Sequence, residues 1–467
     1  MGWSLRSDKL LMKIEKFARS VRIEVSAERA FAWHQRPGAF ERLVPPWLKV
    51  DRLSGPPKLQ DGTEVVLRSG RWPFYFRWVA RHRDVRPPLQ FVDEQARGPF
   101  SRWVHTHRFE AAGPTGCVLT DEIEYRPPFG LGAGWIRREL ERIFRFRHHV
   151  TRCDLRAHAA GPDQPLRVLV TGSRGLLGSH LLPYLTSGGH EVVRLLHRPD
   201  PTLMGALDLE NEGSEAWEGM DAVVHLAGAN LATRRWTPQW KSELRASRIG
   251  FTRRLVERLA RLARPPRVLV CASATGWYGM SAGEKFDEKS PAGQGFLAEL
   301  TRDWEAAADP AGHRGIRVVH LRFGMILSPR GGALGKMLPL FRAGLGGPLG
   351  DGRQWTSWIA LDDALDVILR ALQRTPLSGP VNTVAPFPVS NASFVASLGR
   401  ALGCPAALRV PSGILRLAFG KMADDLLLGG AQVLPSRLME DGFAFRFPML
   451  DAALRHMFGH YPMGAMK

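Results

Sequence analysis

Hydrophobic and polar positions in the first third of the chain alternate in short segments that turn residues separate. Alternation with a period of two is typical of half-buried strands. One longer stretch, from Ile136 to Leu155, repeats at helical spacing instead. Strands followed by one long helix predict an α+β domain, in which a curved antiparallel sheet wraps the helix around an apolar cavity. The predicted strands are Ser20–Val25, Glu64–Ser69, Tyr75–Arg83, Phe91–Glu94, Trp103–Glu110 and Val118–Tyr125.

The pattern changes after residues 158–165, a short polar segment with two prolines that is typical of an interdomain linker. From Leu166 onward, strand-length apolar runs alternate with helical segments, which predicts a doubly wound α/β domain with a parallel sheet. The predicted strands are Leu166–Thr171, Glu191–His197, Asp221–Leu226, Arg267–Ala272, Ile316–Arg322 and Pro380–Val384. The predicted helices are Leu176–Thr186, Pro238–Leu262, Gly295–Ala308, Asp362–Gln373 and Asn391–Leu402.

Two further regions follow the predicted strand that ends at Arg322. The chain is glycine-rich as far as Gly352, which predicts a loop-rich functional insertion. The tail from Val410 to Leu454 has apolar runs at helical spacing and is predicted to form a small helical cap. The predicted segments are a lead-in at 1–18, which could be a short amphipathic helix, an α+β domain at 19–157, a linker at 158–165, a doubly wound domain at 166–409 and a helical domain at 410–457.

Composition narrows the classes of protein to which the chain can belong. Its 467 residues are 44% hydrophobic and 23% charged, which is typical of globular domains. No apolar run approaches the roughly 20 residues of a membrane helix, and the N-terminus lacks the apolar core of a secretory signal. The four cysteines lie far apart, so we expect reduced thiols, no metal site and a cytoplasmic protein.

The net charge of +19 would indicate nucleic-acid binding if the basic residues were clustered. The excess is instead divided almost equally between residues 1–165 and the remainder, mostly as arginine and without a basic block. We therefore expect neither a nucleic-acid partner nor a membrane span.

A glycine-rich turn follows the first strand of the predicted α/β domain. Residues 172–178 read Gly-Ser-Arg-Gly-Leu-Leu-Gly and lead directly into a predicted helix. Glycines in this position permit a tight turn and a close approach of backbone to a diphosphate, which the N-terminus of the helix attracts. The turn therefore predicts a dinucleotide site, although the bare pattern also occurs in ordinary glycine-rich turns.

The residue after the second strand indicates which dinucleotide is preferred. NAD-binding domains typically place a carboxylate there to bind the adenosine ribose. This chain has Arg198 instead, and Arg174 lies in the glycine turn. Because arginine can pair with a 2′-phosphate, we expect NADP(H), with NAD(H) as the weaker possibility. The alternative is that Arg198 is a solvated surface residue.

Several ordered blocks closely resemble the YfcH-like, NAD-dependent epimerase/dehydratase-related family of atypical extended short-chain dehydrogenases/reductases. The resemblance implies a Rossmann-like fold over Leu166–Leu454, and the tail resembles the family's small C-terminal domain of unknown function. The blocks are 170–178, 221–228, 235–236 with 247–248, 273–279, 321–327, 346–358 and 382–386.

The N-terminal region is similar to the polyketide cyclase/START-like helix-grip superfamily, which some members of the epimerase family carry as a fusion. The similarity rests on residues 31–34, 42–47, 98–100 and 103–107. It implies a cup that holds a hydrophobic ligand. His105 and His107 alternate on a predicted strand and could line the cup, but ordinary strand histidines are the favoured interpretation.

The epimerase resemblance also implies where a cofactor is held. The glycine turn takes the diphosphate, His197 and Arg198 lie at the adenosine phosphate, and Leu226 and Ala227 flank the ribose and adenine. Several of these residues suit a core or a surface ion pair equally well. The full expected set is Gly172, Ser173, Arg174, Gly175, Leu176, Leu177, Gly178, His197, Arg198, Leu226, Ala227, Gly228, Glu243, Arg248, Ser273, Arg322 and Ile326.

The catalytic pair of the wider superfamily is missing. Active members use a Tyr-x-x-x-Lys pair, in which lysine lowers the pKa of the tyrosine that shuttles a proton. The corresponding positions here are Phe296 and Leu300, and the usual catalytic hydroxyl position is Ala274. The nearby hydroxyls remain as candidate catalytic groups: Ser273, Thr275 and Tyr278.

The block at residues 346–358 combines glycines with Arg353, Gln354, Trp355 and Trp358. It could clamp a polar, partly planar substrate. A turn packed by the two tryptophans is an equally good interpretation.

Two hypotheses for function follow. The first is an NADP(H)-dependent oxidoreductase or epimerase that acts on a small metabolite and carries an N-terminal domain for a hydrophobic ligand. The alternative, which the missing Tyr/Lys pair favours, is a non-catalytic protein that binds or senses NADP(H). A homodimer is possible by analogy with other extended members.

Overall fold

The structure is a computed structural model, and it describes residues 13–55, 59–71, 74–161, 164–196, 205–209, 213–280, 283–373 and 376–461. Contacts divide the chain into two compact units. One contains the chain up to residue 160 with the segments 183–189 and 459–467; the other contains 161–182 and 190–458. Each unit is described separately below.

The N-terminal unit contains one seven-stranded antiparallel sheet. Its strands are β1 (Glu15–Ile23), β2 (Val50–Ser54), β3 (Glu64–Arg71), β4 (Phe74–Arg86), β5 (Gln90–Arg97), β6 (Arg102–Ala111) and β7 (Cys117–Arg126), in the spatial order β1-β7-β6-β5-β4-β3-β2. Its helices are α1 (Ala27–Gln35), α2 (Ala39–Leu43) and α3 (Ala133–Ala159).

Alternation of burial places the core of this unit on one face of the sheet. Every second residue of β7 is buried, beginning with Cys117. Ile123 and Tyr125 from that face pack with Leu140 and Phe144 of α3. The long helix therefore covers the concave side of the sheet, as the sequence predicts.

Four features of this unit differ from the sequence prediction. Helices α1 and α2 and strand β2 were not predicted. Their segments are short, and Ser26 begins α1 as an N-cap that accepts a hydrogen bond from the Arg29 amide. The possible lead-in helix is wrong at residues 15–17, because these residues belong to β1. Residues 1–12 lie outside the residues that the structure describes.

The second unit is built on a seven-stranded parallel sheet. Its strands lie in the spatial order β10 (Leu207–Asp208), β9 (Glu191–Leu196), β8 (Arg167–Thr171), β11 (Ala222–His225), β12 (Val268–Ala274), β14 (Arg317–Phe323) and β18 (Gly379–Thr383). Strands β8, β11 and β12 are buried almost continuously, as expected for a parallel sheet covered on both faces. The remaining strands of this unit form small two-stranded sheets: β13 (Lys285–Phe286), β15 (Met325–Leu327), β16 (Trp355–Thr356), β17 (Trp358–Ala360), β19 (Val389–Ser390) and β20 (Gln432–Val433).

The helices of this unit follow the predicted order with two corrections. The predicted helix Pro238–Leu262 is interrupted by a π turn at residues 246–250. The predicted glycine-rich loop contains the helix α8, whose Leu334, Leu338 and Phe341 are buried. The helices are α4 (Leu176–Ser187), α5 (Pro238–Arg245), α6 (Phe251–Ala260), α7 (Phe296–Ala308), α8 (Gly332–Arg342), α9 (Leu361–Leu372), α10 (Asn391–Leu402), α11 (Ser412–Phe419), α12 (Lys421–Ala423), α13 (Ser436–Glu440) and α14 (Leu450–Phe458).

The C-terminal tail packs closely on the α/β domain. Leu454 and Phe458 of α14 share a core cluster with Phe394 and Leu398 of α10. Strand β20 of the tail pairs with β13, so the tail is not purely helical. Both predicted fold classes, the antiparallel α+β domain and the doubly wound parallel domain, are confirmed. Among the helices of the described residues, none has the length and apolar character needed to cross a membrane.

Candidate functional site

The predicted site lies at the carboxyl edge of the parallel sheet, where β8 and β11 end side by side. Thr171 at the end of β8 pairs with His225 at the end of β11. From β8 the chain continues to β9, on one side of the β8–β11 pair. From β11 it continues to β12, on the other side of that pair. Open α/β sheets bind ligands at the edge where strand order reverses in this way.

At two positions of the turn at residues 172–178, backbone packs so closely on backbone that only glycine fits. Gly172 has a φ of +69°, in the left-handed region that favours glycine. A Cβ on Gly172 would lie 2.6 Å from the carbonyl carbon of Leu226. A Cβ on Gly178 would lie 2.3 Å from the carbonyl oxygen of Gly172. The first and third glycines therefore hold the strand, the turn and the helix together.

The middle glycine of the turn borders solvent-exposed space and is less closely enclosed than the other two. Gly175 is exposed, and the nearest atom to a Cβ placed there is the carbonyl oxygen of Gly172 at 3.3 Å. Helix α4 begins at the next residue, so its first N–H groups and the positive end of its dipole lie beside this space. The buried hydroxyl of Ser173 has no hydrogen-bond partner within the described residues. These features fit an anionic ligand.

A buried hydrogen-bond chain fixes the backbone opposite the turn. The Thr171 hydroxyl accepts bonds from the amides of Leu226 and Ala227, both at 3.1 Å, and so donates to His225 Nδ1 at 2.7 Å. His225 Nε2 then donates to the Thr252 hydroxyl at 2.9 Å. Burial lowers the pKa of His225 to about 4, so the ring is neutral, as this chain of donors requires.

Arg248 is a buried cation beside the turn that follows β11. It is 8% exposed, and its guanidinium lies 5.1 Å from the centre of the Trp304 ring. A Cβ on Gly228 would lie 3.3 Å from the guanidinium carbon, so the two are adjacent. Burial lowers the pKa of Arg248 to about 10, yet the group stays charged at neutral pH. Its Nη1 has no partner within the described residues, which fits a further polar ligand.

A buried ion pair occupies the ends of β12 and β14. Arg322 donates two bonds to Glu305 of α7, from Nε and Nη2, each 2.8 Å long. The Ser273 hydroxyl donates to the same carboxylate at 2.5 Å. A bidentate arginine–carboxylate pair in a dry setting is geometrically specific. Both Ser273 and Arg322 are therefore engaged inside the protein.

Tyr278 belongs to the same network. Its hydroxyl accepts a bond from Arg322 Nη1 at 3.1 Å and donates to Asn382 Oδ1 at 2.7 Å. The side chain is 2% exposed, and burial raises the pKa of Tyr278 to about 12. A proton shuttle at neutral pH needs a lowered pKa and access to substrate. The Thr275 hydroxyl, by contrast, is half-buried and makes no hydrogen bond to any described residue.

The positions of the missing Tyr/Lys pair are filled by hydrophobic side chains. Leu300 is buried in a cluster with Trp240 and Trp304. Phe296 is half-buried, and Nζ of Lys241 lies 4.5 Å from the centre of its ring. A lysine amine is therefore present at this surface, but it comes from α5 rather than from α7.

The block at residues 346–358 packs within the domain. Trp358 is fully buried and donates from its indole nitrogen to the carbonyl of Phe387 at 3.1 Å. Gln354 donates to the carbonyls of Leu349 and Leu427. A Cβ on Gly347 would lie 1.8 Å from the carbonyl oxygen of Leu408. These contacts favour the packed turn over the substrate clamp, although Arg353 remains exposed.

The remaining predicted cofactor residues occupy varied positions. Leu226, Ala227 and Ile326 are half-buried, whereas Glu243 and Arg174 are exposed. Leu176 is half-buried and Leu177 is buried at the start of α4. His197 and Arg198 lie outside the described residues, so their predicted role stays a prediction.

Sequence reasoning missed the residues that connect the site. Thr171 and His225 are the last residues of two apolar strands, where a polar side chain is unusual and could have drawn attention. Glu305 lies among buried apolar residues of α7, another such signal. Asn382 gives no signal of its own, because its bond to Tyr278 joins residues 104 positions apart.

Comparison with known proteins agrees with this architecture. Residues 168–383 match the model of the NAD dependent epimerase/dehydratase family. An epimerase family protein of Mycobacterium bovis is 43% identical over 291 residues, which are 62% of this chain and 96% of that protein. The chain belongs to this epimerase family. The resemblance found in the sequence is thereby confirmed.

The domains on either side of the epimerase domain also match known families. Residues 410–457 match a domain of unknown function, DUF1731, and residues 23–145 match the polyketide cyclase / dehydrase and lipid transport family. A Corynebacterium glutamicum structure described as a nucleoside-diphosphate sugar epimerase is 32% identical with a TM-score of 0.78. The alignment covers 96% of this chain and 91% of the Corynebacterium glutamicum chain.

A human epimerase family protein has been solved with NADPH. It is 34% identical, with a TM-score of 0.58, and the alignment covers 63% of this chain and 100% of the human one.

The glycine turn yields a stability prediction. Gly178→Ala places a methyl group against the Gly172 carbonyl and should destabilise the domain by about 1–3 kcal/mol. Gly175→Ala places its methyl group 3.3 Å from the same carbonyl oxygen, a contact that a shift of a few tenths of an ångström relieves, and should change stability by less than about 1 kcal/mol. Urea unfolding of both variants measures the difference. Equal losses of stability would contradict the assignment of Gly175 to an open face.

The Tyr278 network yields a second prediction. Tyr278→Phe leaves Arg322 Nη1 and Asn382 Oδ1 without their buried partner and should cost about 1–3 kcal/mol of stability. The exposed Tyr75 supplies the control, since Tyr75→Phe should be nearly neutral. Thermal unfolding in parallel decides the outcome. A Tyr278→Phe protein as stable as the parent would show that the hydroxyl has no structural role.

Proposed function

We propose that the epimerase domain binds NADP(H) at the carboxyl edge of its parallel sheet and uses it in oxidoreductase or epimerase chemistry on a small metabolite. The observation that carries the proposal is the contrast within the glycine turn. Gly172 and Gly178 are closed by backbone, whereas Gly175 is open at the N-terminus of α4. The NADPH in the human relative supports the choice of cofactor.

The polar groups left without partners suggest how the dinucleotide is held. The N–H groups at the start of α4 and the hydroxyl of Ser173 would contact the diphosphate. Leu226 and Ala227, whose amides are already bonded to Thr171, would pack against the adenosine. The buried guanidinium of Arg248 would donate a hydrogen bond to a further oxygen of the cofactor. His197 and Arg198 are assigned to the 2′-phosphate from the sequence alone.

The chemistry must proceed without the Tyr/Lys pair. The bound nicotinamide supplies hydride transfer, and the chain's residues have to orient a substrate carbonyl beside it. Of the three predicted hydroxyls, Thr275 is the one that the internal network does not occupy. We therefore assign Thr275 to holding the substrate oxygen and assign Ser273 and Tyr278 to positioning.

The N-terminal unit is proposed to bind a hydrophobic molecule. Its match to a family described as including lipid transport supports this role, as does a sheet whose concave face is covered by one long helix.

A second candidate function is binding of NADP(H) without catalysis. It is favoured by the engagement of Ser273 and Tyr278 with Glu305, Arg322 and Asn382. Such a protein would sense the dinucleotide or be stabilised by it.

Turnover separates the two functions. Incubation with NADPH and a panel of carbonyl compounds should give a steady loss of nicotinamide absorbance. Gly175→Asp should abolish this loss, because its carboxylate would occupy the open face and repel the diphosphate. Gly312→Asp is the matched control, since Gly312 is also exposed, has no atom within 4 Å of a Cβ placed there, and precedes β14, at the opposite edge of the sheet. If the protein binds NADPH but consumes none with any carbonyl, the non-catalytic function is favoured.

Arg198 determines the expected preference between the two dinucleotides. Arg198→Asp should weaken NADPH binding about tenfold or more, because a charged hydrogen bond to the 2′-phosphate is lost, and should change NADH binding little. Calorimetric titration measures both affinities. Arg342→Asp, at an exposed arginine elsewhere, controls for the change in net charge. Equal losses for both dinucleotides would show that Arg198 does not contact the phosphate.

A further inference from the structure

The N-terminal unit holds a cluster of histidines and aspartates on the buried face of its sheet. His105 and His107 are two residues apart on β6, so both side chains lie on the same face. Asp93 of β5 pairs with His105, and Asp121 of β7 pairs with His107. Neighbouring strands thus bring four polar side chains into one patch, and His148 of α3 adds a fifth.

Asp121 is the buried centre of this cluster. It is 3% exposed and accepts bonds from His105 Nε2 at 2.8 Å and His148 Nε2 at 2.6 Å. Nδ1 of His107 lies 2.8 Å from the same carboxylate. A buried carboxylate must be compensated in this way, because removing an ion from water is costly. Asp121 therefore orients two imidazole rings by hydrogen bonds, and the ring of His107 lies at ion-pair distance.

His107 lies between two carboxylates. Its second nitrogen, Nε2, is 3.2 Å from Asp93 Oδ2. The pair of carboxylates therefore attracts positive charge to this point of the sheet.

Ligand atoms of Asp93, His105 and His107 all lie within 4.8 Å of one another, and no other group of this kind occurs in the described residues. Two imidazoles and one carboxylate form a donor set typical of catalytic zinc and of other divalent first-row metals with an open position. We infer that Asp93, His105 and His107 bind a divalent transition-metal ion, with a coordination position left for water or a ligand.

The groups around the three donors support this inference. Metal-bound histidines typically donate their other ring nitrogen to a carboxylate, and Asp121 stands in that place for His105, whose Nε2 lies 2.8 Å from its Oδ1. The buried Nδ1 of His148 has no partner within the described residues. Asp93 has 27% of its side chain exposed, whereas His105 and His107 have less than a tenth. An ion can therefore reach the buried histidines by way of Asp93.

The competing interpretation is a hydrogen-bonded polar core that binds no ion. The two are distinguished on the full-length chain, stripped with a chelator and dialysed, then titrated with Zn²⁺ alone by calorimetry. The inference predicts one ion per chain, and Co²⁺ in place of Zn²⁺ should give the visible absorption of a four- or five-coordinate site. Absence of stoichiometric binding of both ions would overturn it.

Zn²⁺ binding by variants tests which residues hold the ion. Asp93→Asn and His107→Gln should each weaken Zn²⁺ binding about a hundredfold or more, and Asp121→Asn about 10–100-fold through the outer shell. Asp51→Asn is the matched control, because Asp51 is an exposed carboxylate on β2 that pairs with Arg68 and contacts none of the three donors. Thermal unfolding identifies any variant that fails to fold. Unchanged binding in a folded Asp93→Asn protein contradicts the assignment.

X-ray absorption on the zinc-loaded parent protein needs no variant. The inference predicts a first shell of two imidazole nitrogens with oxygen donors. A sulfur ligand would show that the ion is held by cysteine elsewhere and would overturn the assignment.

Discussion

The approach of the Gly172 backbone to the Leu226–Ala227 backbone fixes the geometry of the epimerase domain. Any Cβ at Gly172 would be too close to this segment, so the two strand ends can meet only if glycine follows β8. The Thr171 hydroxyl then bonds both amides that the turn presents. Because His225 and Thr252 complete that chain, the turn is tied to the helix that carries Arg248. The open face at Gly175 exists because its neighbours are held so closely.

The ends of β12 and β14 are organised for a different purpose. In active relatives of the wider superfamily this region presents the proton-transfer groups. Here Glu305 and Arg322 form a buried ion pair to which Ser273 and Tyr278 are bonded. Removal of one member of such a pair typically costs about 3–5 kcal/mol, because a charge is left buried and uncompensated. Stability thus limits how far these hydroxyls can take part in chemistry, whereas the half-buried Thr275 hydroxyl lies outside this network.

The sequence predicted the fold where the period of burial was clear. Strands such as β8 and β12 are mostly apolar, and β7 alternates strictly in burial, so their type and order followed from the pattern. Helix α8 was missed because its glycines resemble a loop, although Leu334, Leu338 and Phe341 carry the helical period. The break at residues 246–250 was also missed, although the five-residue step from the buried Leu244 to the buried Ile249 departs from the α-helical repeat.

The candidate site was predictable only in its local parts. The glycine turn is a contiguous motif with a known physical purpose, so residues 172–178 could be named in advance. Tyr278, however, was a candidate for a chemical role because its hydroxyl lies close to the strand end, and its bonds to Arg322 and Asn382 could not be predicted because those residues are distant in sequence. The cluster around Asp121 was hidden for the same reason: pairing of three strands brings its members together, and two histidines on one strand gave no reason to prefer a metal over ordinary burial.

Hydrogen exchange at individual amides, with and without NADPH, examines the proposed binding face without any variant. Slower exchange should appear at the amides of Ser173, Leu176 and Leu177 and at Gly228, while amides at the opposite edge of the sheet, such as Gly312, should be unchanged. Protection confined to other parts of the chain, or no protection at saturating NADPH, would contradict a dinucleotide site at the glycine turn.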